Sequence, residues 1–482
     1  MSQFSLSRWQ SVGIGALFVG ALGVIATLGY ILGPAGYVAG IGVIVALCLT
    51  LLILLYPTMG MTLLIFCLPF ERIPSVDVGG VSLKLNLFVG GVTILGAIAS
   101  LILRRQPLRL TTTHWLLVAY LAVAGCSYLG AVEQARALQV IVFTTFTFLL
   151  AWVVPQLLTS GLILRRLLMV LGWSALVVGL FGLFQFVGDL VGLPNGLTGL
   201  DPGFGKEVFG FPRIQAFSLE PLYLGDYLLL PLSLLFTLIL TQSRLVPRPV
   251  LWGLFGLLSV VLVLTVSRGA YIAAVVSVLV IAMSLPREVL QPKHLLLGAL
   301  AIVVVGGASI LFLARSHPEA LVTFQEHVLL GDFVGSESGE GRVVGFVAAF
   351  DEWRERPWLG VGPGNFGPAI TGYPNPVTVE HSPIVNNQYL ELLAETGLVG
   401  FLLIMLVFGI VLSRSVIALR HVGDPLVRAT LIGGTAAFVG MLVQYNFFST
   451  LYIIHIWVTV GLLLAVQTLA LGPKAVAATE PV

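Results

Sequence analysis

Residues 250–285 read VLWGLFGLLSVVLVLTVSRGAYIAAVVSVLVIAMSL, two apolar runs with a single charge, Arg268, between them. A helix needs roughly 17–25 apolar residues to cross a hydrocarbon core of about 30 Å. Residues 250–266 and 269–285 each satisfy the lower bound, and Ser267-Arg268-Gly269 interrupts them. The reading is therefore two membrane helices joined at a tight, charged corner. A charged guanidinium at membrane depth is costly, so Arg268 should face an interior cavity and a partner, or else snorkel from a helix end.

The same pattern extends in both directions. Mean hydropathy is +1.04, and 58% of residues are hydrophobic against 10% charged, which excludes a soluble globular protein. Alternating apolar and polar strands are absent, arguing against an outer-membrane barrel. A net charge of +2 is too small to indicate a nucleic-acid partner. Cys48, Cys67 and Cys126 lie in apolar runs without Cys-x-x-Cys spacing, and no His-x-x-x-His or Asp-x-Asp occurs. No disulfide framework, metal site or cofactor is expected.

The hydrophobic runs predict an all-α polytopic membrane protein of about 12–14 transmembrane helices. The first seven fall near 12–32, 36–56, 57–70, 84–103, 114–130, 136–157 and 165–188. The second seven fall near 218–241, 250–266, 269–285, 295–314, 389–413, 426–447 and 450–471. Twelve results if one pair is re-entrant. The first span is expected to stay in the mature chain and to target it.

Residues 315–388 are the long polar exception. Of the chain's 24 Lys and Arg and 22 Asp and Glu, thirteen fall there, with three of the seven histidines. With the N-terminus cytoplasmic, fourteen of the 24 basic residues lie in inside loops, among them Arg104, Arg105, Arg165, Arg166, Arg414 and Arg420. Short loops follow the positive-inside rule, and long segments cross regardless of charge. The expected organisation is transmembrane helices over 1–314, a large extracytoplasmic loop over 315–388, and transmembrane helices with a short cytoplasmic tail over 389–482. Both termini should be cytoplasmic, in the cytoplasmic (inner) membrane.

Three arginines then fall on the outer face. Arg268 is one. Arg213 precedes a span in FPRIQAFSLEPLYLGDYL, where Glu220 and Asp226 follow and a local Arg213–Glu220 ion pair is an equal reading. Arg342, in ESGEGRVV, is the third, with a solvated loop charge as its other reading. Guanidinium forks bind phosphate oxygens in pairs and stay charged at any working pH, so such a cluster suits a phosphorylated ligand. The glycine-rich run from Pro357 to Phe366 lacks the features of a nucleotide loop and reads as a tight turn. In HSPIVNNQYLELLAETGL, His381 stands beside Glu380 and the amides Asn386 and Asn387, and is a candidate general base or acceptor-positioning group. Glu391 and Glu395 share one helix face there.

Four ordered pieces now resemble the O-antigen ligase/polymerase family of bacterial membrane glycosyltransferases. They are Phe217-Ser218-Leu219-Glu220-Pro221, then Thr265-Val266-Ser267-Arg268-Gly269-Ala270, the run Pro357 to Phe366, and Asn387 to Gly400. The first half matches only as generic spans. The resemblance implies a polyprenyl (undecaprenyl) pyrophosphate-linked glycan as donor and a hydroxyl of a glycan or lipid, such as lipopolysaccharide, as acceptor. It would put donor pyrophosphate on Arg213 and Arg268, to which the residue reading adds Arg342. Catalytic candidates are His381, Glu220, Asn386 and Asn387. Ligases carry histidine directly before the Asn-x-Tyr/Phe-Leu piece, where this chain has Asn386, and Glu220-Pro221 is closer to the polymerase branch. The competing reading is a transporter of a small anion such as bicarbonate. A scaffold or flippase partner is a third.

Overall fold

The computed structural model describes residues 30, 33–73, 75–78, 81–105, 107–241, 245–289, 291, 337–370, 378–379 and 382–472. The protein is an all-α polytopic membrane protein. Its helices are α1 (Pro34–Leu55), α2 (Pro57–Cys67), α3 (Leu85–Leu103), α4 (Thr112–Tyr128), α5 (Gln134–Leu157) and α6 (Gly161–Leu190). They continue as α7 (Pro221–Leu240), α8 (Arg248–Leu264), α9 (Arg268–Ser284), α10 (Glu337–Glu355), α11 (Gln388–His421), α12 (Pro425–Gln444) and α13 (Ile454–Leu471). Among the described residues seven helices, α3, α5, α6, α7, α11, α12 and α13, are long and apolar enough to cross a membrane. The spans expected at 12–32 and 295–314 lie outside the described residues, Tyr30 apart.

Helix boundaries follow local chemistry. Proline occupies the first turn of α1, α2, α7, α8 and α12, where its missing N–H is no loss. Asp424 caps α12 through Oδ1, which accepts from Leu426 N at 2.8 Å and Val427 N at 3.0 Å. Two short antiparallel hairpins add to the helical expectation. Ser75–Val78 (β1) pairs with Val81–Lys84 (β2), and Thr378–Val379 (β3) with Ser382–Pro383 (β4).

Burial separates a centre from a rim. For α7, α12 and α13 the most apolar window is 83%, 72% and 83% inside the protein, against 39–44% for α3, α5, α6 and α11. The central helices pack through small residues, since lipid offers no hydrophobic drive for helix association. A Cβ on Gly433 of α12 would stand 2.9 Å from the Ser233 carbonyl oxygen of α7. One on Gly225 of α7 would stand 2.6 Å from the Ala270 Cβ of α9. Ser277 of α9 donates to the Ala436 carbonyl of α12 at 3.0 Å.

The glycine-rich run is a scaffold, as a tight turn should be. α11 bends at Gly397, where φ is 65° and ψ is −171°, a combination open essentially to glycine alone. The bend releases backbone groups, and the run from Pro357 collects them. Leu398 N donates to the Pro357 carbonyl at 2.8 Å, Val361 N to Ala394 O at 2.9 Å, and Gly362 N to Glu395 O at 2.9 Å. Glu395 Oε1 accepts from Phe366 N at 3.2 Å. On the opposite side Asn365 Oδ1 accepts from Glu133 N at 2.6 Å, fastening the turn to the start of α5. A Cβ on Gly397 would collide with the Trp358 backbone, and one on Gly360 with Ala394 and Glu395.

Gly397→Ala should therefore destabilise the protein by about 2–4 kcal/mol, from strain and clash together. Thermal unfolding in detergent should show it, whereas Gly409→Ala, on the same helix with open space around it, should leave the midpoint unchanged.

Candidate active site

The corner between α8 and α9 is the foundation of the site. α8 ends at Leu264, α9 begins at Arg268, and the connection turns through Val266 at φ 49°. A β-branched residue in the left-handed region costs about 1–3 kcal/mol and persists only where its surroundings force it. Here the force is visible. Arg213 donates from Nε to Thr265 O at 3.4 Å and from Nη2 to Val266 O at 3.2 Å. Ile214 N donates to Leu264 O at 3.2 Å, so residues 213–214 run against the open end of α8. These contacts satisfy carbonyls that a terminating helix leaves unpaired. Arg268, expected just before the span, is instead the first residue of the helix.

The chain around Arg213 is fixed from three sides. Arg213 N donates to Phe204 O at 2.9 Å, and its guanidinium carbon lies 5.9 Å from the Phe204 ring centroid. Gln185 of α6 grips Ala216, another left-handed residue at φ 47°, accepting from its N at 2.7 Å and donating to its carbonyl at 3.2 Å. Glu71 N and Arg72 N both donate to Phe217 O, at 3.2 and 2.9 Å.

The three arginines singled out from sequence come together. Burial depresses the Arg213 guanidinium, Tyr271 and Glu220 oppose that, and Arg268 adds to it. Burial and Arg268 likewise depress Arg342, on α10. Arg268 is thus within electrostatic reach of both others. Glu220, the residue before Pro221 of α7, is raised by burial, lowered by Arg213 and raised by Asp201. Glu220 and Arg213 accordingly feel each other's charge.

Three helix starts converge on the turn 445–450. Gln388 N donates to Tyr445 O at 2.8 Å, and Asn387 N to Ser449 Oγ at 2.9 Å. Tyr223 of α7 shares a hydrogen bond with Thr450 Oγ1 at 3.1 Å, and a Cβ on Gly269 of α9 would stand 2.7 Å from the Phe447 ring. The positive ends of α7, α9 and α11 therefore point to one side of the protein. Asn387 is committed to structure: its Oδ1 caps α11, accepting from Tyr389 N at 3.0 Å and Leu390 N at 3.1 Å. Asn386 precedes it in the left-handed conformation at φ 56°. His381 lies outside the described residues. Glu391 and Glu395 do share a face, with Arg136 within electrostatic reach of both.

Residues 253–405 match the family model described as O-Antigen ligase. Over that stretch the chain is similar to the O-antigen ligase family. The matched stretch is about a third of the chain and holds Arg268, Arg342, the glycine-rich turn and the start of α11. Arg213 and Glu220 precede it, and the fold brings them to it. No curated protein matches the chain.

Sequence reading missed a buried group behind the site. His455 Nε2 lies 2.8 Å from Asp226 Oδ2 and its Nδ1 lies 3.5 Å from Glu71 Oε1. Removing one partner from a buried pair of this kind costs about 3–5 kcal/mol. The signal available was the presence of ionisable residues inside apolar runs, which is itself a functional pointer in membranes.

Glu220 supplies a pH prediction. Its carboxyl is raised in the folded protein, so the folded state holds more protons than the unfolded state above the ordinary value of 4.5. Stability through this group is greatest at low pH and falls as pH rises through the raised folded value. Glu220→Gln should flatten the decline of Tm as pH rises above the ordinary carboxylate value of 4.5. An unchanged slope would contradict the assignment.

Proposed function

We propose that the protein transfers a glycan from a polyprenyl-pyrophosphate carrier to an acceptor hydroxyl at the outer face of the cytoplasmic membrane, and that it is a polysaccharide polymerase. The observation that carries this reading is that Arg268, at the start of α9, is within electrostatic reach of both Arg213 and Arg342. A cation at a helix N-terminus is disfavoured by about 0.3–1 kcal/mol, and guanidinium groups repel one another. An anion of two or more charges relieves both costs, and a pyrophosphate bound to a lipid meets that need at membrane depth.

In this mechanism the acceptor oxygen attacks the anomeric carbon from the face opposite the leaving group. The C–O bond breaks with its electron pair going to pyrophosphate, where the three arginines stabilise the developing charge. They supply, from the chain itself, the charge that a metal ion supplies elsewhere. The proton of the acceptor hydroxyl passes to a base, His381 or Glu220, with Glu220 already beside Arg213. Asn387 holds the start of α11, and Asn386 lines the turn before it. The polymerase branch is favoured by Glu220-Pro221 and by asparagine, not histidine, at 386.

The division into helices 1–314, an extracytoplasmic segment 315–388 and helices 389–482 belongs to the same proposal, with both termini cytoplasmic. The segment acts as a lid, bringing Arg342 to the donor and His381 to the acceptor. Its described part is held to α11 and α5 by the glycine-rich turn, which suits a lid of fixed seat.

The test is transfer by purified protein in proteoliposomes given polyprenyl-pyrophosphate-linked glycan, with products followed by size. Arg213→Ala and Arg268→Ala should each lower turnover about 10²–10³-fold with folding intact. Arg342→Ala should lose less, and His381→Ala should separate the two candidate bases. Products growing by repeated addition support a polymerase, and a single addition a ligase. Full activity in both arginine variants, or bicarbonate flux without transfer, would overturn the proposal.

A further inference from the structure

The buried group at His455 has a geometry beyond simple charge balance. His455 lies in the first turn of α13 and is 1% exposed, Asp226 lies in α7 and is fully buried, and Glu71 follows α2 and is 9% exposed. Among the described residues Asp226 Oδ1, Glu71 Oε2 and His455 Nδ1 have no hydrogen-bond partner, so Asp226 is hydrogen-bonded to the ring through Nε2 while Glu71 meets it as a longer ion-pair contact. An imidazolium can donate from both nitrogens, and here each nitrogen faces a carboxylate.

Both carboxylates belong to the machinery around Arg213. Glu71 and Arg72 hold Phe217 through their backbone N–H groups, and the Phe70 and Phe217 rings stack at 4.5 Å. Arg72 also donates to the Gly199 carbonyl. Asp226 sits on α7 less than two turns beyond Glu220, on the helix whose Gly225 touches α9. The ring therefore ties the 217–226 segment to α13 at both ends, at 217 through Glu71 and at 226 through Asp226.

We propose that His455, clasped by Glu71 and Asp226, is a positioning residue that holds the Arg213–Glu220 segment in register with Arg268. The inference rests on the pyrophosphate reading of the arginine cluster for its functional half. Its structural half, the tether itself, stands on the distances above. No member of the triad lies in the stretch that matches the family model.

The experiment uses the full chain with Cys48, Cys67 and Cys126 replaced by alanine and a spin label at Leu219→Cys, an exposed position within the tethered segment. A second label at Val118→Cys, exposed on α4, serves as control. In folded Glu71→Ala and His455→Leu chains the label at 219 should gain mobility while that at 118 does not change. Affinity for geranylgeranyl pyrophosphate should fall roughly tenfold or more. His455→Lys, which returns a cation between the carboxylates, should recover part of both effects, which a packing role would not predict. If His455→Leu fails to fold, Glu71→Ala at the edge of the cluster carries the test. Unchanged mobility and affinity in folded Glu71→Ala would overturn the inference. If the parent protein binds no geranylgeranyl pyrophosphate while the label at 219 still responds, the donor reading fails and the tether stands.

Discussion

Arg268 repels both Arg213 and Arg342, and the structure holds it within reach of each regardless. Much of the site's architecture answers to that constraint. Arg213 leans on the carbonyls of Thr265 and Val266, the partial negative charge at the end of α8, and its ring contact with Phe204 adds a second favourable surface. Glu220 supplies one carboxylate nearby. Together these offset the repulsion enough to fold the site.

The strain needed to build this corner is concentrated in two residues. Val266 and Ala216 both carry positive φ without being glycine, and each is gripped by side chains from elsewhere in the fold, Arg213 in one case and Gln185 in the other. Forced conformations of this kind collect where geometry matters more than stability. The same logic explains the glycine-rich turn. Its backbone must lie against α11 closer than any Cβ permits, and it gives the polar segment a rigid seat on a bent membrane helix.

Much of the fold was legible in advance. Hydrophobic runs located the described spans to within a few residues because a bilayer demands long uninterrupted apolar segments and punishes charges between them. Arg268 was conspicuous for the same reason. The two departures are informative. α11 runs on to His421, well past the expected 413, because its polar last turns stay helical beyond the apolar stretch. Asn387, a candidate for chemistry, proved to be a helix cap, and caps and catalytic amides use the same residue types.

The sequence by itself determined that the protein is helical and membrane-embedded, the order of its spans, and which arginines and glycines stand out against apolar surroundings. Composition and periodicity are local properties, readable within a window of twenty residues. Only the tertiary structure decided what those residues meet. Gly397 is bent by a turn some forty residues earlier, and Arg213 rests on carbonyls 52 and 53 positions away. His455 finds Asp226 across 229 residues of chain. Pairings at such separations arise from how helices pack through small residues in lipid, and no local pattern encodes them.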